Sequence, residues 1–432
     1  MSIASESLLV VFLFAVALLW PRAGRAEDLS IGAAVEAARK QAPEVLAAKQ
    51  RVAAAEGRRD QAALFFRNNP EVEGDWLDDR LGTNEGERVI GASLSQELEI
   101  AGQPGLRGEV AERELEAARY DATSFERIYV GRVMETFYAL LQAQRRAEVA
   151  AEILRLNETL VAASQRRLDA GDIPEVEHNL IVVEVERARA DAASAEADVT
   201  RARAELNRLL GRPAATAVRA VGELPARPAP ADGPPEIPER LDLRAAQAEA
   251  EARGAEVSLL RREVVPNPRL SLGWEMENRN LHVDRSGVAG PEQFDLDRFF
   301  LLRLSFPLPL FNRNQGAIRE AAARQSSARL LATALEQTVS AEVVGAQAEL
   351  SSSARRLELY AATLPRVDRN LDLLTRAFEA GQIDAPALLS ARDRSFRTRL
   401  DYLDAQRGYA VARVALARAL GRDPASLLQE AR

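Results

Sequence analysis

The sequence has no cysteine, only two histidines (His178 and His282) and only three methionines in 432 residues. Disulfides, thiolate metal sites and a lipid attached to a mature N-terminal cysteine are therefore excluded. A specific transition-metal site needs three or four converging N, S or O ligands, and neither histidine stands in such a spacing, so no metal or other cofactor is expected. A Ser/His/Asp arrangement, a zinc-protease pattern and a phosphate loop are all missing, and the chain is not read as an enzyme. Aromatic residues make up only 5%. The net charge of -8 argues against a nucleic-acid partner. No apolar run reaches the length of a bilayer-spanning helix. Leu8 to Leu19, LLVVFLFAVALL, is a short uncharged run followed by Gly24-Arg25-Ala26, and residues 1–26 are expected to be a cleaved export signal.

Ala, Arg, Glu and Leu dominate instead, a bias of long helices and coiled coils. Sliding the sequence against itself by 210 residues pairs RRLDAGDI with RAFEAGQI and Leu210-Gly211-Arg212 with Leu420-Gly421-Arg422, with 15 identities in 48 aligned positions. Asn69-Pro70 aligns with Asn267-Pro268 at an offset of 198, so the second copy carries 12 extra residues between Pro268 and Leu304. The expected organisation is a first repeat over 27–212, a linker with seven prolines over 213–238, and a second repeat over 239–432. Each repeat reads helix, strand, strand, long helix, return helix. In the first, Pro104 opens a 67-residue helical run with apolar residues at steps of three and four (Leu115, Ala118, Ala122, Phe125, Tyr129), interrupted at AGDIP. At 1.5 Å per residue that run is about 100 Å long.

The strand-like segments alternate. Leu270, Leu272, Trp274 and Met276 share one parity, as do Phe300, Leu302, Leu304, Phe306, Leu308 and Leu310, and in the first repeat Ile90, Ala92, Leu94 and Leu98. EVEGDW at 71–76 is the fourth segment. An apolar and a polar face over about ten residues is the pattern of a transmembrane β-strand. Four strands cannot close a barrel, and an open edge does not persist in lipid, so several copies must share one: two would give eight strands, three would give twelve and an open pore. The inter-strand loops, 77–87 and 278–298, are expected to be extracellular. Glu71, Glu73, Asp75, Glu97, Glu99, Glu275 and Glu277 outweigh Arg88, Arg269 and Arg303 on the polar faces, which predicts a cation-preferring pore.

Four stretches, NPEVE (69–73), SQELEIAGQPGLR (95–107), NPRLSLGW (267–274) and above all LSFPLPLFNRNQGAIREA (304–321), resemble the outer-membrane factor (TolC) family, in particular its heavy-metal, CzcC-like subgroup. The resemblance covers essentially all of the mature chain. It implies a mainly α fold with β: a homotrimer whose long hairpins form a periplasmic α-barrel and whose four strands per protomer join a twelve-stranded barrel in outer-membrane lipid. It further implies a passive exit duct for cobalt, zinc or cadmium, a periplasmic adaptor and an inner-membrane resistance-nodulation-division pump. Drug efflux or type I protein secretion is the alternative cargo, and a periplasmic coiled-coil adaptor the less favoured class, since an adaptor has one hairpin rather than two. Carried over by position, Gly171 and Gly381 are the periplasmic tip turns, flanked for adaptor docking by Leu168, Ala170, Asp172 and Ile173 and by Phe378, Ala380, Gln382 and Ile383. Aspartates found in relatives six and nine residues after the second tip glycine are Ala387 and Ser390 here, so gate carboxylates fall to Asp172, Glu175, Glu177 and Asp384.

Overall fold

The computed structural model describes residues 26–79, 87–228, 240–281, 293–380 and 382–430. The expected export signal up to residue 25, the middles of both inter-strand loops with His282, residues 229–239 of the linker, and Gly381 lie outside the described residues. In chain order the elements are β1 (Glu27–Ser30), α1 (Ile31–Gln41), α2 (Pro43–Ala62), β2 (Glu71–Asp78), β3 (Arg88–Glu97), α3 (Gln103–Asp169), α4 (Glu175–Leu209), β4 (Val218–Val221), α5 (Leu241–Arg262), β5 (Arg269–Leu281), β6 (Gln293–Ser305), α6 (Gln315–Glu379), α7 (Ala385–Ala419) and α8 (Leu427–Glu430). No described helix is long and apolar enough to cross a membrane.

The chain divides into two compact units, one of 1–48, 123–240 and 338–432 and the other of 49–122 and 241–337. In the first, the core gathers apolar residues of α1, α3 and α4: Ala34 and Ala38 pack with Tyr129, Val133, Phe137 and Leu140 and with Leu206, Leu209 and Leu210. The Tyr129 hydroxyl lies 2.8 Å from the Leu209 carbonyl and 3.0 Å from Glu44 Oε2. Burial, then the Glu44 carboxylate, pushes its pKa up to about 12, so it holds these helices as a neutral donor.

This unit also adds detail to the linker. Within residues 213–228, β4 pairs in parallel with β1, Glu27 opposite Val218 through Ser30 opposite Val221. The buried Asn207 amide donates to the carbonyls of Ala214 and Thr216, at 3.2 and 2.9 Å, and so folds the segment after α4 back toward β1. Both return helices end in the same backbone lock. Arg212 N–H donates to Asn207 O at 2.8 Å across Gly211 (φ 67°), and Arg422 N–H to Ala417 O at 2.9 Å across Gly421 (φ 63°).

In the second unit β2, β3, β5 and β6 form one four-stranded antiparallel sheet in that order. It is an open sheet, not a closed barrel, with β2 and β6 as its edges. The second hairpin is longer, 13 residues in each strand against 8 and 10 in the first. β6 ends at Ser305, earlier than expected, because Pro307 and Pro309 have no N–H to continue the ladder. Asn314, at φ 54°, turns the chain into α6 while its N–H donates to Asn312 Oδ1 at 3.1 Å.

Candidate functional site

The register fixes which side chains share a face of the sheet. Val72, Leu94, Leu272 and Leu302 are successive partners across the four strands, and Gly74, Ala92, Trp274 and Phe300 form the next row. Val72, Leu94, Leu272, Phe300 and Leu302 are all exposed. The other face carries Glu71, Glu73 and Asp75 on β2, exposed, and Glu275 and Glu277 on β5, half-buried, with Asp297 opposite Glu277. Arg269 and Arg303 share that face, and Arg269 Nη1 reaches Glu71 Oε2 at 2.5 Å.

Arg88 does not belong to the polar face. It pairs with Asp78 and Asn278, which puts it on the side of Ile90 and Trp76, where its Nε lies 3.5 Å from Asp78 Oδ2. Residue parity already required this, since 88 and 90 are two apart. Glu97 and Glu99 are held rather than free. Glu97 accepts from Asn68 at 2.9 Å and Asn267 at 2.7 Å, and Asn267 accepts in turn from buried Gln103 at 3.0 Å. Residues of two of the four family-like stretches, with Asn68 just ahead of a third, thus meet in one clamp at the helix end of the sheet. Glu99 pairs with Arg107 at 2.6 Å.

At the first hairpin turn, Asp172 N–H donates to Arg167 O at 2.8 Å and Gly171 N–H to Leu168 O at 2.9 Å, with Gly171 at φ 75°. This is the six-residue helix-ending motif that needs a left-handed residue. A Cβ on Gly171 would meet nothing within 4 Å, so its requirement is conformational and not steric. The second turn repeats the bond, Gln382 N–H to Ala377 O at 2.8 Å. Ala170 and Asp172 are exposed, as are Ala380 and Gln382, whereas Ile173 is buried and Ile383 half-buried. The Arg167 guanidinium lies 5.7 Å from the Phe378 ring centroid, so the two turns touch within one chain, and Leu168 stands beside this contact in sequence.

The four proposed gate carboxylates divide into two kinds. Asp384 is the N-cap of α7, accepting from Ala387 N–H at 3.0 Å. Glu175 and Glu177 sit in the first turn of α4, whose N-cap Pro174 offers no side-chain acceptor, and there they complement the helix dipole. Asp172 is exposed at the turn itself. Just behind, buried His178 Nδ1 lies 2.9 Å from Ser164 Oγ, and that hydroxyl donates to Val161 O at 3.0 Å. Both contacts are satisfied together in the tautomer whose Nδ1–H donates to Ser164. Arg392 and Ser395, buried on α7, were not anticipated. Arg392 Nη1 and Ser395 Oγ have no hydrogen-bond partner among the described residues, and burial lowers the arginine's pKa from its ordinary value. Arg392 borders a groove of about 1050 Å³ walled also by Asn157, Glu184, Asp191 and Asp393, charges of both signs on α3, α4 and α7. No cluster of metal-ligating side chains occurs among the described residues.

An open amphipathic sheet carried with long paired helices is the equipment of a channel subunit, not of an enzyme. A family model for outer membrane efflux proteins matches residues 34–212 and 237–422, and the chain belongs to that family. It is an outer-membrane efflux channel protein with a TolC-like fold. It is 29% identical over 361 residues to the cobalt-zinc-cadmium resistance protein CzcC of Cupriavidus metallidurans, covering 82% of this chain and 81% of that one. The nickel-cobalt-cadmium resistance protein NccC of Alcaligenes xylosoxydans xylosoxydans is 27% identical over 289 residues, covering 66% and 61%. Among solved structures, the channel-forming protein CusC superposes with a TM-score of 0.70 at 20% identity, covering 94% and 95%.

Proposed function

We propose that this protein is the exit duct of a tripartite resistance-nodulation-division system and passively conducts heavy-metal cations from the periplasm to the exterior. The observation that carries this reading is the sheet: one face apolar and exposed, the other rich in carboxylates, both edges open. Such a sheet is complete only when further copies pair edge to edge, and a homotrimer gives a twelve-stranded barrel with an open lumen. Glu71, Glu73, Asp75, Glu275 and Glu277 then face the lumen and favour cations. The likeness to CzcC and NccC supports metals over drugs or secreted proteins as cargo.

In this reading Leu168, Ala170, Gly171, Asp172 and Ile173, with Phe378, Ala380, Gly381, Gln382 and Ile383, form the surface that a periplasmic adaptor grips. Glu175 and Glu177 supply the acidic character of the closed tip, with Asp172 nearest the turn, whereas Asp384 is committed to capping α7. The deciding experiment compares a deletion strain with its complemented parent on cobalt, zinc and cadmium and on a drug panel. Loss of metal tolerance alone is expected; loss of drug tolerance alone would overturn the cargo.

A further inference from the structure

The groove between α3, α4 and α7 holds a buried positive charge that the chain does not balance. Arg392 lines this groove at 9% exposure, and its Nη1 is closed to water and has no hydrogen-bond partner among the described residues. Burial lowers its pKa, and no carboxylate stands close enough to oppose that effect. Its neighbours are matched within the chain. Arg187 Nη1 lies 3.9 Å from Glu184 Oε1, Arg397 Nη2 2.8 Å from Asp393 Oδ2 and Arg146 Nη2 3.4 Å from Asp404 Oδ2. Arg407, also on the groove, is exposed and so solvated. An arginine keeps its proton at any ordinary pH, so the charge at Arg392 cannot be shed. Left buried and unpaired it is costly, and an anion from outside the chain offsets that cost.

The surroundings select the kind of anion. Leu389 and Phe396, three residues before Arg392 and four after it, line the groove on the same side of α7. Ala150 and Ile153 of α3 and Ala188 of α4 add apolar wall, and the short alanine side chains keep the space open. About 1050 Å³ is at the upper end of the sizes that small-molecule pockets reach. We propose that this groove binds a small organic anion, a carboxylate on an apolar body. Its charge meets the Arg392 guanidinium, which turns toward the groove as the anion arrives, and its body lies against Leu389 and Phe396. Bound there, the anion ties the return helix of the second hairpin to both helices of the first. Such binding does not depend on how the sheet is completed.

The test follows the fluorine NMR line of para-fluorobenzoate as it is titrated with the full chain in lipid nanodiscs, against empty nanodiscs. The comparison ligand is para-fluorobenzamide, which has the same body without the charge. Saturable broadening is expected, with the benzoate binding roughly tenfold tighter than the amide and losing about that factor in Arg392→Met. Arg407→Gln, which removes an exposed groove arginine, should leave the affinity unchanged. Equal affinity for the two ligands, or equal losses in the two variants, would overturn the site. Inorganic phosphate displacing the benzoate at equal concentration would also overturn it, since charge alone would then be read. A thermal midpoint guards against misfolding and against a partner supplied by the assembly. Without ligand, Arg392→Met should melt no lower than the parent, because it removes an uncompensated buried charge. A clearly lower midpoint would mean that a carboxylate of a second copy already holds Arg392, and the proposal fails.

Discussion

The two helical hairpins are built to one plan and stabilised by different chemistry. Ser164 and His178 form a satisfied polar pair behind the first turn, and the positions 210 residues later are Leu374 and Leu388, the latter 1% exposed. The first hairpin's return helix buries Ile181, Val185 and Ala188 next along the seam, whereas the second buries Arg392 and Ser395 together with Phe396. The long helices differ too, since α6 carries Pro365 in its interior where α3 has Arg155. A buried hydrogen bond confers geometry, and an apolar pair confers burial energy without direction. The first hairpin is thus the more precisely positioned at its turn, and the second is apolar at its turn and carries an interior proline and unsatisfied buried polar atoms beyond it.

Exchanging these features tests the contrast. The largest effect is expected for Leu388→His, which removes a buried side chain and leaves an imidazole with no partner at Leu374. A loss of about 4 kcal/mol in denaturant unfolding of the detergent-solubilised protein is expected. Pro365→Ala restores a helix hydrogen bond and should raise stability by about 2–3 kcal/mol in the same measurement; an unchanged midpoint would mean that α6 is already adapted to its proline. At the hairpin bases, Gly211→Ala should cost about 2 kcal/mol and more than Gly421→Ala. A Cβ at Gly211 would stand 2.9 Å from the backbone oxygen of Gln41, and one at Gly421 2.9 Å from a flexible Arg240 methylene. Equal losses would show that the positive φ alone matters. The smallest effect belongs to His178→Leu, below about 1 kcal/mol, because Ser164 keeps its bond to Val161 O. A cost as large as that of Leu388→His would erase the asymmetry.

A pH signature should also separate the hairpins. Burial raises the pKa of Asp404 on α7, and the position 210 residues earlier is Ser194. An acid whose folded pKa is raised favours the fold while protonated, so its contribution falls as pH rises through that pKa and recovers on acidification. Asp404→Asn should remove that slope, read as the change in thermal midpoint between acidic and neutral buffer.

The helices were legible because a period of 3.6 persists over dozens of residues: α3 begins at Gln103 and α4 at Glu175, within a residue of Pro104 and Pro174. The apolar faces of the four long strands were equally legible, as alternation at period two leaves no freedom once one residue is assigned. Arg88 was misassigned through neglect of that same parity. β1 and β4 were not foreseen, since four residues carry too little pattern to stand out beside prolines. The clamp of Asn68, Glu97, Gln103 and Asn267 was invisible for another reason: its hydrogen-bonded partners lie as far as 170 residues apart, and only the fold brings them within reach. The turns at AGDIP and AGQID were readable as helix ends from glycine alone, but that Asp384 caps a helix while Glu175 and Glu177 face a dipole depends on backbone geometry.

The unpaired edges of β2 and β6 reach beyond conduction to biogenesis. In the barrel proposed above, a lone chain would expose two rows of amide groups that water-free lipid cannot satisfy, so a single copy would have no stable inserted state. On that reading insertion waits for assembly, and its rate should climb more steeply than linearly with the supply of chains. Expression level would then act as a threshold, below which uninserted chains stay exposed to proteases and to mispairing through the same edges.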